Sequence, residues 1–151
     1  MRTQLVVPIV QQTPQRCGQA ALEMVLQYYG AGDEAKAQAE RAYDPILRGS
    51  LVTDLAVAAQ GAGFASRVAT LTTDSLVTFL ESGIPPILLY QNGRAPFTVA
   101  HYGVVTGWDP KRATFTLNEG RAVPRTISAA DLARRWRTAG SQALIVQRVQ
   151  P

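Results

Sequence analysis

The first half of the chain carries apolar residues with the period of α-helices. Between Gly18 and Tyr29 the strongly polar positions are Gln19, Glu23 and Gln27, which recur every four residues. A helix with one narrow polar stripe and apolar residues on every other side is typical of a buried helix. Gly30 then favours termination of the helix. The pattern therefore predicts that this helix lies in the core.

Caps and glycines delimit three more predicted helices. They start near Asp33, run from Ser50 as N-cap to Gly61 or Gly63, and run from near Asp74 to Gly83. A last amphipathic helix is predicted after Ser128, with Leu132 and Trp136 on its apolar side.

The second half of the chain changes to short apolar runs typical of strands. These runs are Pro86–Gln91, Phe97–Trp108, Thr114–Asn118 and Ala143–Val149. Asn92-Gly93 favours a turn after the first run, and the segment from Asp109 to Arg112 favours a turn after the second. Helices first and an antiparallel sheet later indicate an α+β fold.

Composition limits the classes of protein that remain. With 151 residues, 46% of them hydrophobic, the chain is long enough for one domain with a proper core, predicted to span residues 1–151. No apolar run approaches the ~18 residues of a membrane span. One cysteine excludes an intrachain disulfide, and one histidine excludes a zinc site built from several imidazoles. We therefore expect no metal and no other cofactor.

The net charge of +4 adds little to this picture. The late arginines cluster around the predicted helix after Ser128 and are interpreted as its solvated face; they are Arg121, Arg125, Arg134, Arg135 and Arg137. Nucleic-acid binding would need a reading element or interleaved aromatic residues, and the sequence has neither, so we expect no nucleic-acid partner.

Cys17 stands directly before the predicted buried helix and is followed by Gly18. A helix N-terminus offers unpaired N–H groups and a positive dipole end, which favour a thiolate and can bind a developing oxyanion. Gly18 has no side chain to obstruct a substrate. These features indicate a nucleophilic cysteine. The only histidine, His101, lies far away in sequence within an apolar strand, and an ion pair with Cys17 would explain its presence there.

A third group is expected to hold the second nitrogen of the imidazole. A hairpin that turns at Asp109 would return Asn118 alongside His101, where its amide oxygen could accept a hydrogen bond. Asp109 and Glu119 are the carboxylate alternatives. We expect Asp109 to serve the turn and Glu119 to point to the opposite face of the strand.

Two glutamines just upstream of Cys17, Gln11 and Gln12, are candidates for a side-chain donor to the oxyanion. A short loop can fold either amide back towards the sulfur.

Several segments together resemble the C39-like cysteine peptidases of the papain-like superfamily, which include bacteriocin-leader-processing domains and domains of bacterial lipoproteins. The segment from Val7 to Gly30 is similar to the family's active-site helix. Gly49–Phe64 is similar to its second helical motif, Ile84–Ile87 to its buried strand, and His101–Asp109 to its histidine strand. The resemblance covers essentially the whole chain. It implies a papain-like fold with N-terminal helices packed on a C-terminal antiparallel sheet.

The resemblance also implies roles for single residues. Cys17 would be the nucleophile and His101 the general base. The glutamine of the family falls on Gln12 in an ungapped match to the lipoprotein type, which we prefer, and on Gln11 with the spacing of the leader peptidases. The third residue of the family, usually aspartate in an Asp-Pro pair, falls on Asn118, followed here by Glu119.

The implied function is a cysteine peptidase that cleaves a peptide or leader peptide through a thioester, with a peptide or protein as substrate and a possible partner at the cell envelope or a transporter. Two alternatives remain open: an acyltransferase or amidase acting on a non-peptide amide, and a catalytically weak peptide-binding domain. The sequence as given shows no export signal, and a reduced cysteine suits the cytoplasm. Removal of a leader would instead indicate the periplasm or cell envelope.

Overall fold

The computed structural model describes residues 1–149, so the last two residues of the predicted domain 1–151 lie outside it. Within this range the helices are α1 (Cys17–Tyr28), α2 (Asp33–Glu40), α3 (Val52–Gly61), α4 (Thr73–Glu81) and α5 (Ala129–Thr138). The strands are β1 (Thr3–Gln4), β2 (Phe64–Thr70), β3 (Ile87–Arg94), β4 (Phe97–Asp109), β5 (Thr114–Asn118), β6 (Arg125–Ser128) and β7 (Gln142–Arg148). A 3-10 helix, Pro14–Arg16, leads directly into α1.

All seven strands form one antiparallel sheet. Its order is β2-β7-β3-β4-β5-β6, and β1 pairs with the end of β4. The long strand β4 is therefore the centre of the site region, because β1, β3 and β5 all pair with it. This arrangement confirms the predicted α+β fold with an antiparallel sheet.

Helices cover both faces of the sheet. Helices α1, α2 and α3 pack on one face, which we call the α1 face, and bury Leu22 and Val104 there. Helices α4 and α5 pack on the other, the α5 face, and bury Phe115 and Trp136. Successive side chains of a strand point to opposite faces, so the position of each residue along a strand decides which helical layer it meets.

A β-bulge interrupts the pairing of β4 with β5. On the turn side Gly107 pairs with Thr116, whereas on the other side Val105 pairs with Leu117. Thr106 is thus the extra residue of β4. Because side chains alternate along a strand, this shift of one residue changes which side chains of β4 lie on the same face as Leu117 and Asn118.

The N-terminal segment holds this bulge in place. The backbone N–H of Leu5 donates to the Thr106 carbonyl at 2.8 Å. Gln4 Nε2 donates to Thr106 Oγ1 at 3.1 Å, and the Thr106 hydroxyl donates to the Thr116 carbonyl at 3.4 Å. A Cβ at Gly107 would overlap Gln4 Oε1, so the glycine leaves room for the Gln4 side chain where the two segments meet.

Two local expectations are wrong. Asn92 and Gly93 belong to β3, and Ala95-Pro96 makes the turn, since Arg94 pairs with Phe97. Ser50 does not cap α3, because Leu51 is the N-cap residue and makes no side-chain capping bond. Strands β1, β2 and β6 were not predicted at all.

None of the helices in residues 1–149 is both long enough and apolar enough to cross a bilayer.

Candidate active site

Cys17 is the first residue of α1, so the helix begins one residue earlier than the sequence predicts. It is half-buried, and its sulfur accepts a hydrogen bond from the backbone N–H of Tyr102 at 3.4 Å. Arg16 precedes it as N-cap without a side-chain capping bond, so the N–H groups of the helix start are left to other acceptors. The nucleophile candidate is therefore fixed between a helix N-terminus and strand β4.

Close packing at Gly18 joins α1 to β4. A Cβ at Gly18 would stand 2.9 Å from Tyr102 Cδ2 and 3.2 Å from Ser50 Cβ. The Tyr102 hydroxyl donates to the Ser50 carbonyl at 2.8 Å. Glycine thus allows the approach that brings Cys17 against β4.

His101 precedes Tyr102 on β4, and its side chain is 15% exposed. Its ring meets Tyr90 on β3 edge-on, with the ring centroids 5.7 Å apart. Nε2 lies 3.2 Å from the backbone carbonyl of Glu119. A carbonyl only accepts hydrogen bonds, so this contact assigns the proton of the neutral ring to Nε2 and leaves Nδ1 as the basic nitrogen.

The structure brings Cys17 close to His101 because the sulfur bonds the backbone N–H of the next residue, Tyr102. The hydrogen bonds of the described residues include none between the sulfur and the ring. Catalytic hydrogen bonds in substrate-free sites are often long and tighten when substrate binds. Their catalytic roles stay a prediction.

The Glu119 carboxylate is the charged group beside the ring. Its Oε2 lies 3.8 Å from His101 Nε2, and its side chain is only 4% exposed. Oε2 accepts a hydrogen bond from Asn92 Nδ2 at 3.2 Å, and Oε1 accepts one from Arg125 Nη1 at 3.3 Å. The expectation that Glu119 points to the opposite face from His101 is therefore wrong.

Asn118 requires the matching correction. Its side chain is buried, and Nδ2 donates to the carbonyl of Val7 at 3.2 Å, away from His101. Asn118 pairs with Val104, which packs on the α1 face. The bulge at Thr106 explains this placement, since an unbroken hairpin would have set Asn118 opposite Val105. The structure thus puts Glu119, and not Asn118, against the imidazole.

Asp109 serves the turn, as expected. Its Oδ1 accepts hydrogen bonds from the backbone N–H groups of Lys111 at 3.0 Å and Arg112 at 3.4 Å.

The two glutamines differ in their surroundings. Gln12 is half-buried, and its backbone N–H donates to the carbonyl of Gly120 at 3.1 Å, whereas Gln11 is exposed. Gly120 directly follows Glu119, so this bond ties the segment before Cys17 to the loop that holds the His101 ring. Which glutamine serves an oxyanion stays a prediction.

Burial dominates the protonation of both reactive groups. It raises the pKa of the Cys17 thiol, although hydrogen bonds from the N–H groups of Tyr102, Gly18 and Cys17 itself act in the opposite direction. Burial lowers the pKa of His101, because it disfavours the charged imidazolium, while Glu119 raises this pKa. Both shifts favour a neutral thiol and a neutral imidazole, and so act against the expected ion pair.

A cavity of about 440 Å³ opens beside Cys17 and Gly18. Its walls are mainly apolar and come from the loop before α3 and from strands β3 and β4, with Leu51, Leu89 and Val99 among them. It places an apolar surface next to the sulfur.

This fold corresponds to that of C39-like peptidase domains. Residues 4–144 match the sequence model of the Peptidase_C39 like family, and the chain belongs to this family. Family membership supports a peptidase role. No match was found among curated protein sequences.

Solved structures share the fold at low sequence identity. The peptidase domain of Streptococcus ComA, a bi-functional ABC transporter involved in a quorum sensing pathway, has a TM-score of 0.75 at 18% identity, covering 95% of this chain and 98% of that one. A double glycine motif protease from an AMS/PCAT transporter, in complex with its leader peptide, has 0.74 at 20%, covering 97% and 95%. A protein described as a C39-like peptidase from Bacillus anthracis has 0.78 at 16%, covering 100% of each chain.

Sequence reasoning missed three residues of the site: Asn92, Tyr102 and Arg125. Asn92 was interpreted as part of a turn. Arg125 was one of several late arginines with nothing local to distinguish it. Tyr102 contributes its backbone N–H, which no side-chain pattern indicates. The one feature of the sequence that could have indicated this cluster was Glu119, the acidic residue directly after Asn118.

Proposed function

We propose that this chain is a cysteine peptidase that cleaves a peptide, such as a leader peptide, through a thioester on Cys17. The observation that carries the proposal is the position of the sulfur. It lies at the start of α1 and accepts a hydrogen bond from the N–H of Tyr102. The residue before Tyr102 is His101, whose Nε2 contacts the Glu119 carbonyl. A cysteine with a purely structural role needs neither a helix start nor an adjacent imidazole.

Acylation begins with proton transfer from the neutral thiol to His101 Nδ1, the nitrogen that Glu119 leaves free. The sulfur attacks the carbonyl carbon of the scissile amide and forms a tetrahedral intermediate. When the C–N bond breaks, the imidazolium returns its proton to the leaving nitrogen, which departs as an amine. A thioester then remains on Cys17.

In deacylation, water attacks the thioester and the Cys17 sulfur is the leaving group. Nδ1 accepts a proton from the attacking water, the C–S bond breaks, and the sulfur recovers the proton. The products are a free carboxylic acid and the original thiol. Glu119 favours the imidazolium that forms in both stages, because its carboxylate lies 3.8 Å from Nε2.

The developing oxyanion needs donors near the sulfur. The N–H groups at the start of α1 supply one source, and the Gln12 side chain is our choice for the second. The bond from Gln12 N–H to Gly120 supports this choice, since it ties the glutamine segment to the loop beside His101.

The apolar cavity beside Cys17 suits the side chains of an extended peptide next to the scissile bond. Among the structural relatives, the AMS/PCAT protease is described in complex with a leader peptide, and this supports a leader peptide as substrate. A transporter-associated partner is proposed on the same ground.

The test uses the full chain and a library of synthetic peptides, with mass spectrometry of the products. Cleavage by the unmodified chain that is lost in both Cys17→Ala and His101→Ala supports the proposal. Added hydroxylamine should give a hydroxamate at the new C-terminus, which marks the thioester. Cleavage that survives in Cys17→Ala contradicts it. Amide products formed with added amines would instead assign acyl transfer.

A further inference from the structure

We propose that Arg125 and Asn92 are positioning residues of the site, which hold the Glu119 carboxylate beside His101 and so fix the orientation of the imidazole. This inference deepens the proposed function and rests on it for its catalytic meaning. We call the cluster of Arg125, Asn92 and Glu119 the clamp. Its effect on the orientation of His101 can be measured without a substrate.

The clamp is a closed set of three hydrogen bonds. Arg125 Nη1 donates to Asn92 Oδ1 at 2.9 Å and to Glu119 Oε1 at 3.3 Å. Asn92 Nδ2 donates to Glu119 Oε2 at 3.2 Å, and this is the oxygen that faces the ring. Each carboxylate oxygen therefore has one donor, and the two donors are bonded to each other.

Three separate elements supply the clamp. Asn92 lies on β3, Arg125 begins β6, and Glu119 follows β5. The clamp therefore ties the loop after β5 to strands on both of its sides. The Glu119 carbonyl, which accepts from His101 Nε2, belongs to the same tied residue.

Burial makes these donors necessary. The Glu119 side chain is 4% exposed, while that of Arg125 is 36% exposed. A buried carboxylate that loses its donors is strongly destabilised in its charged form, and it becomes protonated or turns towards water. In either case the charge beside Nε2 is lost. The clamp thus maintains a charge that His101 needs when it accepts the thiol proton.

The charged and titratable groups around the ring come from every neighbouring element. They are Tyr90 on β3, Glu119 after β5, Arg121 in the connection, Arg125 on β6 and Cys17 on α1. Burial lowers the pKa of His101, Glu119 raises it, and Arg121 and Arg125 lower it. Burial and then Glu119 raise the pKa of Tyr90 far above its usual range, so this phenol stays neutral.

Arg121 provides the matched control. It is exposed, and its charge acts on His101 in the same direction as that of Arg125. The hydrogen bonds of the described residues include none from Arg121 to Glu119. Arg121→Met therefore removes a similar charge without removing a donor from the clamp, which separates charge from positioning.

The experiment uses two probes that the sequence makes unambiguous, because the chain has one histidine and one cysteine. NMR of the ¹⁵N-labelled full chain gives the tautomer and the pKa of His101. The rate of modification by iodoacetamide gives the reactivity of Cys17. The variants are Arg125→Met, Asn92→Ala and Arg121→Met, each checked for folding by thermal unfolding.

We expect the His101 pKa to rise in Arg121→Met, where only a positive charge is lost, and to fall in Asn92→Ala, where the Glu119 charge beside Nε2 is lost. In Arg125→Met these two effects oppose each other. The unmodified chain and Arg121→Met should keep the Nε2–H tautomer as the dominant neutral form. In Arg125→Met and Asn92→Ala its share should fall, and modification of Cys17 at neutral pH should slow about tenfold, as for residues that share one hydrogen-bond network. In a Glu119→Ala background, Asn92→Ala should cause no further change.

Unchanged tautomer and reactivity in folded Asn92→Ala overturn the proposal, as does an equal effect of Asn92→Ala with and without Glu119. If Asn92→Ala does not fold, the smaller change Asn92→Ser serves the same comparison. A chain that shows the expected NMR changes but cleaves no peptide would remove the proposed function and leave the clamp. Cleavage of a peptide together with an unchanged His101 tautomer in the variants would remove the clamp and leave the proposed function.

Discussion

Asn118 and Glu119 are neighbours in sequence, but their side chains serve opposite faces of the sheet. Asn118 Nδ2 donates to the carbonyl of Val7 at 3.2 Å on the α1 face. The Glu119 carboxylate lies 3.8 Å from His101 Nε2. The bulge at Thr106 sets which of the two lies on the same face as His101, because it shifts the pairing of β4 with β5 by one residue.

Asn118 should therefore be a structural residue. In Asn118→Ala the buried Val7 carbonyl loses its donor, and we expect a loss of about 1–3 kcal/mol in the free energy of unfolding. Asn118→Asp should be less stable at pH 8 than at pH 5, because only a protonated carboxyl can donate to that carbonyl. Thermal unfolding at the two pH values measures this. A loss of Cys17 reactivity at unchanged stability would instead give Asn118 a role in the site.

Glu119→Gln keeps the size of the side chain and removes its charge. Glu119 raises the pKa of His101, so its removal should lower that pKa further and move the acidic limb of the rate profile to lower pH. Turnover of a cleaved peptide should fall, by up to roughly 10²-fold, since proton transfer as a whole contributes about 10²–10⁴-fold. Glu81→Gln, at an exposed acid on α4, is the control. An acidic limb that moves to higher pH would contradict this role.

Cys17 should react slowly at neutral pH. Its pKa is raised by burial, so modification by iodoacetamide should be slower than for an exposed thiol and should still increase above pH 8.5, the usual thiol value being about 8.5. The same chain unfolded in urea provides the ordinary thiol for comparison. A rate that is already constant between pH 6 and pH 8 would show a preformed thiolate.

Gly18→Ala tests the packing that brings α1 to β4. The added Cβ would stand 2.9 Å from Tyr102 Cδ2, so the ring or the helix must move. We expect a loss of about 1–3 kcal/mol, typical of overpacking, and a changed reactivity of Cys17. Gly49→Ala, which lines the same cavity and meets nothing within 4 Å, should change neither. Equal behaviour of the two variants would mean that this contact does not control the site.

Gln12→Ala should lower turnover by up to roughly 10²–10³-fold if its side chain donates to the oxyanion. Thermal stability should change little, since the bond to Gly120 uses the backbone N–H. Gln11→Ala, at the exposed neighbour, is the control. If the loss appears in Gln11→Ala instead, the oxyanion donor is Gln11.

Local patterns in the sequence determined the main elements and pointed to the two residues that we propose to react. The apolar helix after Cys17 begins at Cys17 in the structure, and the strand predicted over Thr114–Asn118 has these bounds. Such elements can be predicted because helical and strand periods are short and are visible within a few residues. The same is true of a cysteine at a helix start, which needs no knowledge of the rest of the chain.

Tertiary structure alone decided which residues complete the site. The bulge at Thr106 depends on Gln4 and Leu5, which are distant in sequence, and it puts Glu119 rather than Asn118 on the same face as His101. The grouping of Asn92 and Arg125 on Glu119 likewise joins separate strands. Burial then acts against the expected ion pair of Cys17 and His101. Pairing register, long-range contacts and exclusion of water belong to the folded chain as a whole, and so no local pattern contains them.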